Sequence, residues 1–463
     1  MSYDSHKPPG RPKILWVVVV VFALLAITTV FVFVENSHGL NEWEQCKREL
    51  EAHGEKIDWA DFVPPPIPAE SNSYAAPKMT DWFVRQSGVS VTAHFVHSNT
   101  SKTFLTTNEA NAYLDETDED FATDFQLVRT ALQRPFARID GDYSKPFEIS
   151  MPNFVSLRNL AQMLAQRVRA DFLLGHPDDA LHELTLMHDL SHLLLTKPDA
   201  RPYLLVTAMI NVAITGLYTE VIVDGFRAQA WSESEIKALA AQLAEINLPP
   251  TVAASLRAER AASCHTLATT EPGKIMGGYG AASSGGIVDF FKNPVPTLGA
   301  HMPHALVLQN MVTIARLEQM MIDSCEAAPG LVVPAKLDKA ARDLDREFSG
   351  SVTFSPSKWM AAVCIPNYTR ALQTAARNQT KVNQARVACA LELYRLKHSE
   401  YPEKLEALVP EFIAHIPHDL IGGKPFHYRR LPDGKFLLYS LGWNEKDDGG
   451  SVTLDWLWGD VAR

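Results

Sequence analysis

Two groups of residues have types and spacings that suit metal chemistry. His188 and His192 stand four apart, which on a helix sets two imidazoles on one face, within reach of a single metal ion. No HExxH pattern accompanies them and no third ligand can be named, so a pair of packed histidines is the competing reading. Asn444, Asp447, Asp448 and Asp455 gather oxygen ligands beside Gly449 and Gly450. A hard cation such as Ca²⁺ takes several such oxygens together with backbone carbonyls; the alternative is a solvated turn. His301 and His304 flank Met302-Pro303 in a loop, and Gly277 to Gly286 is glycine-rich without the GK[ST] ending of a phosphate cradle. No Gly-x-Ser-x-Gly elbow occurs. The chain names no reaction.

The elements that must position these residues are mostly helical. Leu160, Leu164, Val168 and Phe172 recur every four residues, Gly175-His176-Pro177 breaks the run, and Ala180, Leu184, Met187 and Leu194 begin a second stripe. That pattern predicts a helical hairpin carrying His188 and His192. A third helix is expected over residues 201–228, with Asp199 as N-cap and Pro202 in its first turn. Its apolar stretch from Leu204 to Val223 has the length of a second membrane span, but Thr207, Asn211, Thr215, Thr219 and Glu220 interrupt it and point to a core helix. Ser232-x-x-Glu235 is a capping box that opens a further helix ending at Leu248-Pro249-Pro250. Helices continue through residues 251–268 and 305–326, whereas residues 79–142 show short mixed patterns.

Towards the C-terminus, Val382, Ala385, Cys389, Leu393 and Leu396 form one apolar stripe over residues 379–400, and Tyr401-Pro402 ends it. Residues 426–430 and 435–441 flank Leu431-Pro432-Asp433-Gly434, a hairpin signal. Residues 451–458 supply a third strand, with Trp456 and Trp458 to cover one face. The order Tyr401-Pro402-Glu403-Lys404-Leu405, Ile416-Pro417-His418-Asp419, Gly422 to Tyr428, Leu438 to Gly442 and Asp447 to Gly450 resembles the head of the type II secretion major pseudopilins. The resemblance implies a helix on a small antiparallel sheet, and a calcium-binding loop with Asp447 and Asp448 as ligands and Asp455 less secure. The Gly-Phe junction and following glutamate of a pseudopilin span are missing, and residues 35–378 separate the apolar N-terminal segment from the head. A pilus subunit proper is therefore not expected. The wider chain is similar to a group of bacterial membrane-anchored envelope proteins through Trp43-Glu44, Leu50-Glu51, Pro64 to Pro68, Asn159 to Gly175, Ala388 to Leu396 and Leu438 to Gly450. This likeness implies an architecture without a reaction.

Ile14 to Val34 holds no charged residue and is long enough to cross a bilayer core. Lys7, Arg11 and Lys13 precede it while Glu35, Glu42 and Glu44 follow, which keeps the N-terminus in the cytoplasm and exports the rest. A cleaved signal peptide is disfavoured by the length of the run and the lack of a small-x-small site after Val34. The formal net charge of −11 argues against nucleic acid as a partner. Cys46, Cys264, Cys325, Cys364 and Cys389 have no metal-like spacing.

The expected fold is thus mainly α: an irregular helical body, a small C-terminal α+β domain and one N-terminal transmembrane helix. The expected divisions are a cytoplasmic tail (1–13), an anchor in the bacterial inner, cytoplasmic membrane (14–34), a stalk and proline-rich spacer (35–78), an exported, periplasmic helical body (79–350) and a C-terminal domain (351–463, head core 379–463). The expected partners are the lipid bilayer, through residues 14–34, and other envelope proteins, in a non-enzymatic assembly role at the cell surface or in a secretion-related system. The alternative is a membrane-anchored metal-dependent hydrolase using the histidines of the body.

Overall fold

Helix dominates wherever apolar residues recur at three and four, as the computed structural model of the chain records. It describes residues 11–85, 93–97, 103–195, 204–271, 275, 302–328, 330–349, 355–365 and 368–459. The Gly277–Gly286 segment, His301, and the Asp199 and Pro202 signals lie outside the described residues. Among the described residues the helices are, in chain order, α1 (Arg11–Ala52), α2 (Met79–Phe83), α3 (Thr107–Leu132), α4 (Phe154–Leu174), α5 (Pro177–Asp189), α6 (Ser191–Leu194), α7 (Leu205–Arg227), α8 (Glu233–Glu245), α9 (Leu248–Thr269), α10 (His304–Cys325), α11 (Pro334–Ser349), α12 (Trp359–Cys364) and α13 (Tyr368–His398). The strands are β1 (Val84–Arg85) and β2 (Met151–Pro152), which pair with each other, then β3 (His427–Arg430), β4 (Phe436–Ser440) and β5 (Trp456–Leu457), an antiparallel sheet in that order. The chain forms two compact units.

The first unit comprises Met1–Ile57, Ser263–Arg316 and Phe348–Ile365. Within the stretch expected to be a stalk and spacer (35–78), the helical part is packed: Cys46 and Leu50 are buried, Asn36 Oδ1 accepts the Ala305 N–H at 2.9 Å, and Glu49 faces Arg316 at 3.8 Å. Gly39 permits the approach, since a Cβ there would sit 3.0 Å from the Ala305 carbonyl oxygen. Asn310, fully buried on α10, donates to the carbonyls of Leu306 and Pro356 and accepts the N–H groups of Met360 and Ala361. It caps the start of α12 from another helix, satisfying donors that α12 cannot satisfy itself.

The second unit comprises Asp58–Ala262, Leu317–Glu347 and Pro366–Arg463. The proline-rich stretch lies against it instead of spanning space: Trp59 is buried and donates to the Tyr143 carbonyl at 2.7 Å, and the buried Tyr74 hydroxyl donates to Leu193 O at 2.6 Å. The predicted hairpin is α4 and α5, joined through Gly175 at φ 76°, with the His176 N–H closing on Asp171 O at 2.9 Å. The capping box is present, Glu235 accepting the Ser232 N–H at 2.7 Å. Helix α7 is apolar and long enough to cross a membrane, yet its most apolar window is 61% buried inside the fold, as a core helix requires.

The C-terminal segment forms the helix and hairpin expected of it. Arg430 pairs with Phe436 across the Pro432-Asp433-Gly434 loop, with Gly434 at φ 79°. Leu438 enters the core beside Cys389 and Leu393, and β5 pairs with β4 at Tyr439 and Ser440. Asp419 is buried and accepts the N–H groups of Ile421 and Leu441 and the Ser440 hydroxyl, which fastens the end of β4. Tyr428 donates to Pro402 O at 2.7 Å. No boundary separates this segment from the helical body, because Val382 to Leu393, Leu405, Phe426, Leu438 and Trp458 share one core with α4, α5, α7 and α8.

Gly225 on α7 tests this packing. Alanine is the better helix former by about 1 kcal/mol, but a Cβ there would lie 2.3 Å from Trp231 Nε1 and 2.7 Å from Phe172. Gly225→Ala is expected to lower stability by about 1–3 kcal/mol in urea denaturation. A stabilised variant would show that the Trp231 contact yields freely.

Candidate functional site

The acidic loop is held by the protein's own donors. Asp455 is buried, and its carboxylate accepts the N–H groups of Gly450 and Ser451, both at 2.8 Å, and of Asp448 at 3.4 Å. Asp447 Oδ1 accepts the Gly449 N–H at 2.9 Å and the Tyr439 hydroxyl at 2.8 Å, and His427 Nδ1 stands 3.3 Å from Oδ2. The Gly449 N–H and the Tyr439 hydroxyl hold the Asp447 carboxyl below the usual carboxylate range. Asn444 turns its amide nitrogen to Asp448 Oδ2 at 2.7 Å and its oxygen to the Lys446 N–H. Asp447, Asp448 and Asp455 therefore do not bring one oxygen each within 4.8 Å of one another. The four residues expected to hold Ca²⁺ share one loop, in which N–H and O–H groups offset the carboxylate charge.

His188 and His192 lie close, with ring centroids 6.4 Å apart, on α5 and the short α6. They open on a cavity of about 420 Å³ in the second unit, lined also by Asn211, Tyr218, Glu245 and Asn247. The surroundings are not a dry leucine layer. Asn211 is buried and its Oδ1 accepts no hydrogen bond. The Tyr218 hydroxyl, pushed well up by burial, donates to Gln242 Oε1 at 2.7 Å, and Gln242 donates to Thr185 at 2.8 Å. Gln379 on α13 fixes one rim, accepting the Leu248 N–H at 2.7 Å and donating to Ile246 O at 3.2 Å. His188 Nδ1 meets Asp189 Oδ1 at 3.2 Å. Among the described residues no three-ligand group includes this pair.

A third site had no counterpart in the sequence reading. Where α3, α4 and α5 meet, a cleft of about 330 Å³ is lined by Asp118, Arg129, Arg167, Asp171, His176, Asp179 and Glu183, among others. Arg167 is buried, donates to Glu183 at 2.9 Å and to Thr117 at 2.6 Å, and pairs with Asp118 at 2.9 Å. Arg129 reaches the other Glu183 oxygen at 2.9 Å. Asp171 is buried at the edge of this network, and burial first, then the charge of Glu183, pushes it up to about 7. Its members come from positions 118 to 183, so no local motif announces them; the Gly175-His176-Pro177 break was their only trace.

Compared with family models, curated proteins and solved structures, the chain matches none.

Two substitutions check the geometry. Glu183→Ala leaves two guanidiniums without their shared carboxylate and is expected to cost about 3–5 kcal/mol; a loss under about 1 kcal/mol in denaturant titration would mean that water replaces the carboxylate. Asp455→Ala strands three backbone N–H groups and is expected to cost about 2 kcal/mol, equally in calcium and in chelator. A cost that appears only in calcium would restore the loop as a cation site.

Proposed function

We propose that this chain is a single-pass protein of the bacterial envelope, anchored in the inner membrane by residues 14–34, with its folded part in the periplasm in a non-enzymatic, assembly-type role. The observation that supports this reading most is the surface of α1. Trp16, Val17, Val18, Val19, Val20, Val21 and Phe22 are consecutive and all exposed, Trp16 at 70% and Phe22 at 69%. Seven successive positions on an α-helix pass through every direction, so no face of this stretch is packed. Further along, Phe33 is 71% exposed. Holding these side chains in water costs on the order of 10 kcal/mol relative to an apolar surrounding, and lipid removes that cost. Lys7, Arg11 and Lys13 on one side and Glu35, Glu42 and Glu44 on the other favour an exported body.

The assembly half of the reading leans on the pseudopilin-like order of the C-terminal segment and on its helix, Asp-Gly hairpin and third strand. Its shared core with α7 and α8 favours a part of one larger body over a free head. A second reading, a metal-dependent hydrolase, draws on the polar cavity at His188 and His192.

A reporter fused after Arg463 is expected to be active when it is of the type that works only outside the cytoplasm. Activity from a cytoplasm-only reporter at the same position would overturn the exported orientation.

A further inference from the structure

We propose that Asp171, His176 and Asp179 bind one divalent transition-metal ion at the turn between α4 and α5. This site is independent of the His188 and His192 cavity and of the acidic C-terminal loop. One ligand atom from each of the three residues lies within 4.8 Å of the other two. His176 Nδ1 is the hinge of the triangle, 4.0 Å from Asp171 Oδ1 and 4.0 Å from Asp179 Oδ2. Ligands about 2.1 Å from one metal sit roughly 3–3.4 Å apart, so the two histidine edges close with a shift of under about 1 Å, and the edge between the carboxylates starts within 4.8 Å. The His176 and Asp179 side chains are exposed and free to supply that shift.

The backbone builds the triangle. Gly175, in the left-handed region at φ 76°, turns the chain so that the His176 N–H bonds to Asp171 O. Asp179 follows one turn into α5. The three residues are thus brought together by a cap geometry that also ends α4.

Two observations point to a cation. The Asp171 side chain is only 4% exposed and lines the cleft, yet among the described residues it accepts no hydrogen bond and its ion-pair contact is the histidine 4.0 Å away. A buried carboxylate normally carries donors or a bound metal. The second observation is the charge balance. The cleft is lined by the guanidiniums of Arg129 and Arg167 and by the carboxylates of Asp118, Asp171, Asp179 and Glu183. With Asp171 ionised, two positive groups face four negative ones, and Glu183 and Asp118 already hold the arginines. A divalent ion cancels the remainder where Asp171 and Asp179 stand.

The ligand set selects the kind of ion. One imidazole and two carboxylates suit Zn²⁺, Mn²⁺ or Co²⁺, whereas Ca²⁺ prefers six to eight oxygens. Three protein ligands leave room for water, or for an oxyanion entering the cleft.

The test uses the full chain in detergent, stripped with chelator and titrated with Co²⁺, read by its visible absorption and by competition with Zn²⁺ and Ca²⁺. One equivalent of Co²⁺ is expected, displaced by Zn²⁺ and not by Ca²⁺. His176→Ala and Asp179→Ala are each expected to weaken binding at least tenfold; both positions are exposed, and melting curves report whether the variants fold. Asp171→Asn should do the same. Absence of binding in the parent chain, or binding that survives both exposed substitutions, overturns the site. Loss of binding in His188→Ala with His176→Ala unaffected moves the metal to the other histidine pair and overturns it equally.

Discussion

The larger unit depends on the burial of α13 from every side. Val382, Ala385, Val387, Ala388, Cys389, Ala390 and Leu391 are all buried, and consecutive positions from 387 to 391 leave no face for solvent. A helix of that kind is the centre of a core, not its edge. The small alanines let α7 and α8 approach on one side and the sheet on the other. Its polar residues are spent on neighbours: Asn378 donates to Val212 O at 2.8 Å, Gln384 donates to Trp456 O at 2.6 Å, and Gln379 grips the segment from Ile246 to Leu248. One helix thereby sets the position of a core helix, a strand and the rim of the histidine cavity. A disturbance at α13 is felt at all three.

What could be read from the sequence was local. The Gly175 turn, the Ser232 and Glu235 capping box, the Tyr401-Pro402 stop and the Asp433-Gly434 hairpin each rest on a few adjacent residues, and each is where its chemistry places it. Periodicity could not reveal that α13 is buried all round, because Gln384 and Thr380 are polar and yet fully buried. A stripe of apolar residues shows the least burial a helix needs, not the most. The packing of the stalk and the proline-rich spacer was not legible for a related reason. Trp59 and Tyr74 take their hydrogen-bond partners, Tyr143 and Leu193, from far along the chain.

The candidate sites show the same limit from the side of electrostatics. Asp447 and Asp448 drew notice because they are adjacent, but carboxylates in a tight loop are well placed to accept N–H groups of that loop: Asp447 and Asp455 accept backbone N–H groups, and Asp448 accepts the Asn444 amide. The cleft between α3, α4 and α5 solves the opposite problem. Its Asp118 and Glu183 lie on different helices, where backbone N–H groups are committed within each helix, and guanidiniums serve instead. Clustering along the chain therefore favoured a self-satisfied turn, and clustering in space produced the charged cleft.

Helix α1 runs unbroken from Arg11 to Ala52, about 63 Å at helical rise. Its exposed apolar half and the half that packs through Asn36, Gly39 and Glu49 are one rod. A turn of the apolar half about its axis, or a tilt of it, is carried without slack to the contact with Ala305. The first unit is in this sense geared to whatever surrounds residues 16–34, and its heading follows theirs.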